Sequence, residues 1–164
     1  MRLEGSCHCG KVRFRLRSAH PCPYQRCYCS ICRKTQGGGG YAINLGGEAA
    51  SLRVTGQRHL KVYQARLKEP GAARARRSPA RRHFCGACGS ALWLWDPRWP
   101  ELVHPFASAI DTPLPAPPES THIMLASRAP WVAVEAGPRD RRHQAYPRES
   151  IAAWHERLGL ADDE

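Results

Sequence analysis

GSCHCGKVRFRLR, residues 5–17, places two cysteines one residue apart, then a glycine, then a strict alternation. Val12, Phe14 and Leu16 alternate with Arg13, Arg15 and Arg17, the period of a strand with one face buried. HFCGACGSALWLW, residues 83–95, repeats the arrangement with cysteines at 85 and 88, a glycine and an apolar strand. Two tight turns that each present a pair of thiols and then enter a strand predict a mainly β domain tied across its length by metal. Zn²⁺ takes four ligands in a tetrahedron at Zn–S distances of about 2.3 Å. Cys7, Cys9, Cys85 and Cys88 supply four sulfurs for one structural zinc that pins residue 7 to residue 88. The competing use of Cys85 and Cys88 is as a redox dithiol.

Outward from these turns, YAINL (41–45), SLRVT (51–55) and HLKVYQARL (59–67) read as short strands separated by glycine turns. THIMLAS (121–127) and WVAVEA (131–136) add further strand candidates around Ala129-Pro130. Residues 20–40, ending in the Gly37–Gly40 run, have the chemistry of a loop, as do the basic stretch 68–82 and the Pro-rich stretch 96–120. Helical spacing is confined to residues of about 148–158, where Ile151, Trp154 and Leu158 recur at i, i+3, i+7 and Gly159 stops the run. The expected organisation is one β domain over 1–138 and a C-terminal extension over 139–164 that carries this short helix.

Between the two cysteine turns lies Cys27-Tyr28-Cys29-Ser30-Ile31-Cys32, followed by Arg33 and Lys34. Three thiolates on one ion leave the fourth position to water or substrate, which is how catalytic zinc is held. Arg33 and Lys34 would draw an anionic substrate to that position. Cys22, five residues upstream of Cys27, is the candidate fourth ligand that would instead close the site into an inert four-cysteine knot. His8 and His83 stand beside ligand cysteines and are the two histidines able to replace a sulfur; His20, His59, His104, His122, His143 and His155 have no ligand pattern.

A chain of 164 residues is the size of one domain. It has no apolar run near the about 18 residues needed to span a bilayer. Its first residues, MRLEGSCHCG, lack the apolar core of a signal peptide. A cytoplasmic protein is expected, with thiols kept reduced and free for metal. The formal charge of +11 is lopsided: residues 1–95 hold 18 basic and 3 acidic side chains, residues 96–164 hold 7 and 11. Such a face suits nucleic acid or another anionic partner, with Arg74, Arg76, Arg77, Arg81 and Arg82 as its contacts. Yet 21 of the 25 basic residues are arginine, in a chain also rich in alanine, glycine and proline, the mixture that GC-rich codons give without selection for binding.

Three ordered motifs carry a family resemblance. Gly5-Ser6-Cys7-His8-Cys9-Gly10, Cys27-x-Cys29-Ser30-x-Cys32-Arg33-Lys34 and His83-Phe84-Cys85-x-x-Cys88-Gly89-Ser90 together resemble the glutathione-dependent formaldehyde-activating enzymes, the family that includes centromere protein V. Ser108-Ala109-Ile110-Asp111, His122-Ile123 and Ser127-x-Ala129-Pro130-Trp131-Val132 resemble its C-terminal half. The resemblance implies a β-tent fold of twisted antiparallel sheets around two zinc ions per chain. It implies a structural zinc on Cys7, Cys9, Cys85 and Cys88 and a catalytic one on Cys27, Cys29 and Cys32. The implied activity is condensation of formaldehyde with glutathione to S-(hydroxymethyl)glutathione, a carbon–sulfur lyase reaction run in reverse. A thiol reductase of the same fold is a further alternative, and it would use Cys22.

Overall fold

Alternation of apolar and charged side chains, rather than any long helical period, sets the architecture. The computed structural model describes residues 1–36, 38–68 and 71–160. Gly37 of the glycine run, Glu69 and Pro70 of the basic stretch and residues 161–164 of the C-terminal extension lie outside the described residues. In chain order the strands are β1 (Arg2–Ser6), β2 (Arg13–Arg17), β3 (Tyr24–Cys27), β4 (Ala42–Asn44), β5 (Gly47–Glu48), β6 (Arg53–Thr55) and β7 (Leu60–Tyr63). They continue as β8 (Arg66–Leu67), β9 (Arg76–Arg77), β10 (Arg81–Cys85), β11 (Ala91–Trp95), β12 (Leu102–Pro105), β13 (Ser120–Ile123) and β14 (Arg141–Arg142). The described residues also hold two short α-helices, α1 (Ser30–Gln36) and α2 (Ile151–Arg157), and four single-turn 3-10 helices. None of these helices is long and apolar enough to cross a membrane.

The strands form a three-stranded sheet β1-β2-β6, a five-stranded sheet β5-β12-β11-β10-β7, a four-stranded sheet β14-β13-β3-β4 and the β8-β9 hairpin. All pairings are antiparallel except β13 with β3 and with β14, which are parallel. Leu3, Phe14 and Leu16 from the first sheet meet Leu92, Trp93 and Val103 from the second in the largest core cluster. Phe14 and Trp93 are tilted with ring centroids 5.0 Å apart, a geometry favoured by the ring quadrupoles. Cys7 and Cys85 belong to this same cluster. A second cluster is built from Cys27, Cys32, Ala42, Phe106 and Ile123. Each group of cysteines thus has two members in an apolar core of its own, while Cys9 and Cys88 are exposed.

The structure departs from the sequence reading at several places. β3 lies inside residues 20–40, and β9 and the start of β10 lie inside the basic stretch 68–82, all read as loop. Residues 125–127 form a 3-10 helix rather than strand. Residues 30–36 are helical, not loop. β1 occupies residues ahead of the first cysteine turn, and β12 lies inside the Pro-rich stretch. WVAVEA is not a strand: Val132 is buried and Val134 partly buried against Tyr28, while the edge of β13 is taken by β14.

Helix α2 closes the C-terminal side. Ser150 caps it, its Oγ accepting from the Ala153 amide at 3.1 Å. Buried Trp154 donates from Nε1 to Glu119 Oε1 at 2.8 Å, and Arg157 donates to both Glu119 oxygens at 2.6 and 3.2 Å. The Arg157 guanidinium holds the Glu119 carboxyl below its usual value against the opposing effect of burial. A carboxylate with a depressed folded pKa gives stability that is complete above its unfolded value and is lost as the pH falls through the folded one. Glu119→Gln is therefore expected to cost about 2 kcal/mol near neutrality, the scale of a hydrogen bond to a charged group. Thermal melts should show the gap from wild type narrowing in acid; a gap that stays constant with pH would contradict this.

Candidate metal centres and their surroundings

Cys7, Cys9, Cys85 and Cys88 converge with all four sulfurs within 4.8 Å of one another. Each pair comes from a tight turn closed by backbone bonds: the Gly10 amide donates to Cys7 O at 2.9 Å, and the Gly89 amide to Cys85 O at 2.8 Å. Gly10 and Gly89 sit at φ of 71° and 77°, the left-handed region that favours glycine, which is why a glycine follows each second cysteine. Ser90 joins the turns, its Oγ accepting from the His8 amide at 3.1 Å and lying 3.2 Å from Cys88 Sγ. The Ser90 hydroxyl and amide bring the Cys88 thiol down to about 5. A tetrahedron with metal–sulfur bonds of about 2.3 Å has edges of about 3.8 Å. The Cys7–Cys9 and Cys9–Cys85 sulfur separations are 3.5 and 3.8 Å, close to such an edge.

Cys27, Cys29 and Cys32 form a second group, again with all sulfurs within 4.8 Å. Cys27 ends β3, Cys29 precedes α1, and Cys32 lies in its first turn, so the helix folds the third sulfur back onto the first two. The Cys32 amide donates to Cys29 Sγ at 3.4 Å. Hydrogen bonds from the Cys27 and Cys32 thiols, with this amide, hold Cys29 well below the usual thiol range. Cys29 and Cys32, with burial, push Cys27 up. Cys27 favours the Cys32 thiolate, but Cys29 and burial outweigh it and raise Cys32 to about 11. Cys27 and Cys32 are buried; Cys29 is partly open to solvent. Both groups are all-sulfur sets able to hold a metal ion.

Cys22 is not a member of the three-sulfur group. It is fully buried, and burial raises its thiol to about 11. Its backbone is fixed separately: the amide donates to His20 Nδ1 at 3.2 Å, and the carbonyl accepts from His155 Nε2 at 2.6 Å. Neither His8 nor His83 joins a metal-ligand group among the described residues. His83 stacks on Trp93 at 4.9 Å. Arg33 is half-buried on α1 and Lys34 is exposed. Of the five arginines read as a basic face, Arg74, Arg76, Arg77 and Arg81 are exposed, but Arg82 is buried.

Two further features have no signature in the sequence. The residue between the first two ligands of the three-sulfur group, Tyr28, is buried, with its hydroxyl 2.8 Å from His122 Nδ1. His122 Nε2 in turn lies 3.3 Å from Asp140 Oδ2. This buried chain ties the ligand-bearing segment to β13 and to the turn before β14. A polar cleft of about 560 Å³ lies between the Cys7 and Cys88 turns and the last turn of α1, with His8, Gln36, Ser108 and Asp111 in its wall. Its size is that of a small-molecule site.

With this geometry in view, residues 2–127 match the family described as glutathione-dependent formaldehyde-activating enzyme. A Halomonas elongata protein named "Putative glutathione-dependent formaldehyde-activating enzyme" is 60% identical over 162 residues, 99% of each chain. A solved structure of a Rhodobacter sphaeroides protein shares the fold, with a TM-score of 0.52 and 26% identity over 68% of this chain and 91% of its own. The chain belongs to the glutathione-dependent formaldehyde-activating enzyme family.

Proposed function

We propose that this protein joins a small thiol to an aldehyde, with glutathione and formaldehyde as substrates and S-(hydroxymethyl)glutathione as product. In the opposite direction the reaction is that of a carbon–sulfur lyase. The observation that carries the reading is the contrast between the two groups: four sulfurs within 4.8 Å of one another in one, three in the other with Cys22 outside it. A four-sulfur set is the usual structural use of zinc, and a three-ligand set is the catalytic one. Zinc in both groups, in a β-tent fold and a reducing cytoplasm, agrees with the family to which the chain belongs and with the eight free cysteines.

Cys27, Cys29 and Cys32 would hold the reactive zinc, which supplies Lewis acidity for a thiolate or a carbonyl oxygen when bound. The chain's own part is to fix those three sulfurs, through α1 and the Tyr28–His122–Asp140 chain. In the reaction the substrate sulfur bonds to the carbonyl carbon, the C=O π pair moves to oxygen, and the proton lost by the thiol ends on that oxygen. No oxidant or reductant is consumed. Arg33 and Lys34 give the cationic approach for an acidic peptide.

The test is metal content and catalysis measured together on anaerobically purified wild type and Cys22→Ser. Two zinc ions per chain are expected in both, with both accelerating loss of free formaldehyde in the presence of glutathione. Loss of one zinc from Cys22→Ser would mean a closed four-cysteine knot. A fully loaded wild type that leaves the condensation rate unchanged would refute the enzymatic reading.

A further inference from the structure

Arg82 lies on β10, three residues before the metal-ligand candidate Cys85. Its β11 partner is Leu94, which packs on the core cluster containing Cys27 and Cys32. The β10–β11 register shifts between His83 and Phe84, and such a bulge resets which side chains turn inward. Arg82 and Cys85, an odd number of residues apart, are both buried. One strand thereby serves both cysteine groups, with Cys85 in the first and Arg82 against the second.

The Arg82 side chain is placed at a cost. Only 8% of the residue is exposed. Its Nη2 donates to Cys32 Sγ at 3.9 Å, while Nε and Nη1 are buried with no hydrogen-bond partner. Among the described residues no carboxylate pairs with it; the ion pairs of Glu4, Glu48, Asp96, Glu119, Asp140 and Glu149 all go to other side chains. A guanidinium taken out of water needs a counter-charge, or its desolvation goes uncompensated. The nearest source of negative charge is the three-cysteine group. A divalent ion on three thiolates carries a net charge of −1, and a single adjacent guanidinium brings the assembly to zero.

We propose that Arg82 is the built-in counter-charge of the Cys27/Cys29/Cys32 metal centre, donating from Nη2 to the Cys32 thiolate. This inference rests on the reading that the three cysteines hold a divalent metal. A neutral centre has a consequence for substrate class. An incoming thiolate would meet net charge zero instead of −1, so an anionic thiol can approach the open position without like-charge repulsion. Arg82 is in this sense a positioning residue that acts through Cys32. It is buried and not part of the exposed basic face.

The experiment compares wild type, Arg82→Lys and Arg82→Met, each purified with its metals and titrated at one pH against a chromophoric chelator. The four-cysteine site is the internal reference, and cobalt substitution reports the thiolate-to-metal charge-transfer bands of each site. In Arg82→Met the second metal is expected to bind at least about tenfold more weakly, the usual scale for loss of an outer partner of a ligand. Its charge-transfer band should shift while the first site is unchanged. Arg82→Lys, which keeps the charge, should retain most of the affinity. A purely structural role predicts something different, namely a lower melting temperature after the chelator has emptied the second site. The counter-charge role predicts that the emptied Arg82→Met protein melts no lower than emptied wild type, since an unpaired buried cation has been removed. Equal second-site affinity in wild type and Arg82→Met, or destabilisation of the emptied variant, would overturn the inference alone. A wild type that takes up only one metal per chain would overturn the functional reading, and the inference with it.

Discussion

Cys29→Ser is expected to lower the metal content from two ions per chain to one and to slow thiol–aldehyde condensation by at least about a hundredfold, the scale on which removing one electrostatic element of a reaction site is felt. Cys29 is chosen because it is the one ligand of the group that is partly open to solvent, and its sulfur accepts the Cys32 amide at 3.4 Å. Serine keeps the size and the chance of accepting that amide bond, but its hydroxyl is a far harder and less acidic donor than a thiol. Two sulfurs and a hydroxyl are a poor set for a metal that prefers thiolate and imidazole. Cys29 is only partly buried, so the exchange leaves the second core cluster intact. The remaining zinc should stay on the four-cysteine site, and the melting temperature should fall much less than the rate. Cobalt spectra of the variant should lose one set of charge-transfer bands and keep the other. Two metals and undiminished rate would remove the three-cysteine group from any role in the reaction.

Why the cysteine groups were legible and their supports were not has a physical explanation. The ligands of one metal must be brought together by short turns, so their spacing and following glycines are local and can be read directly, as Gly10 and Gly89 show. The alternation in residues 13–17 likewise records which face is buried, and β2 appears where the pattern puts it. Helix α1 is not legible in the sequence because SICRKTQ has no apolar stripe; its turn brings the Cys32 amide to the Cys29 sulfur. The parallel pairing of β3 with β13 joins residues 24–27 to residues 120–123, a separation that leaves no local trace. The same holds for the Tyr28–His122–Asp140 chain, whose members look unrelated in the sequence. Arg82 was concealed for a different reason. Within Arg81-Arg82 only the bulge in β10 and the neighbouring thiols decide which arginine is buried, and charge patterning assigns both to the solvent.

Cys85→Ala is expected to destabilise the protein by about 4–5 kcal/mol and to reduce the effect of chelators on its unfolding to the part that comes from the three-cysteine group. Metal on Cys7, Cys9, Cys85 and Cys88 joins two turns separated by most of the chain's mixed sheet structure, closing a loop that runs from Cys9 to Cys85. Cross-linking a loop approaching 100 residues removes conformational freedom from the unfolded chain worth about 4–5 kcal/mol, by the same entropic argument that applies to a disulfide. Cys7 and Cys85 also lie in the largest core cluster, so the metal fastens the first sheet to the second where Phe14 meets Trp93. Cys22→Ala supplies the contrast, since it removes a fully buried thiol of similar size that belongs to neither sulfur group. It should cost about 1–2 kcal/mol for lost burial alone, and the variant should remain sensitive to chelators. Urea unfolding of the three proteins with and without chelator separates the two contributions. If Cys85→Ala and Cys22→Ala lost the same stability and responded equally to chelator, the four-cysteine group would not be what holds the two sheets together.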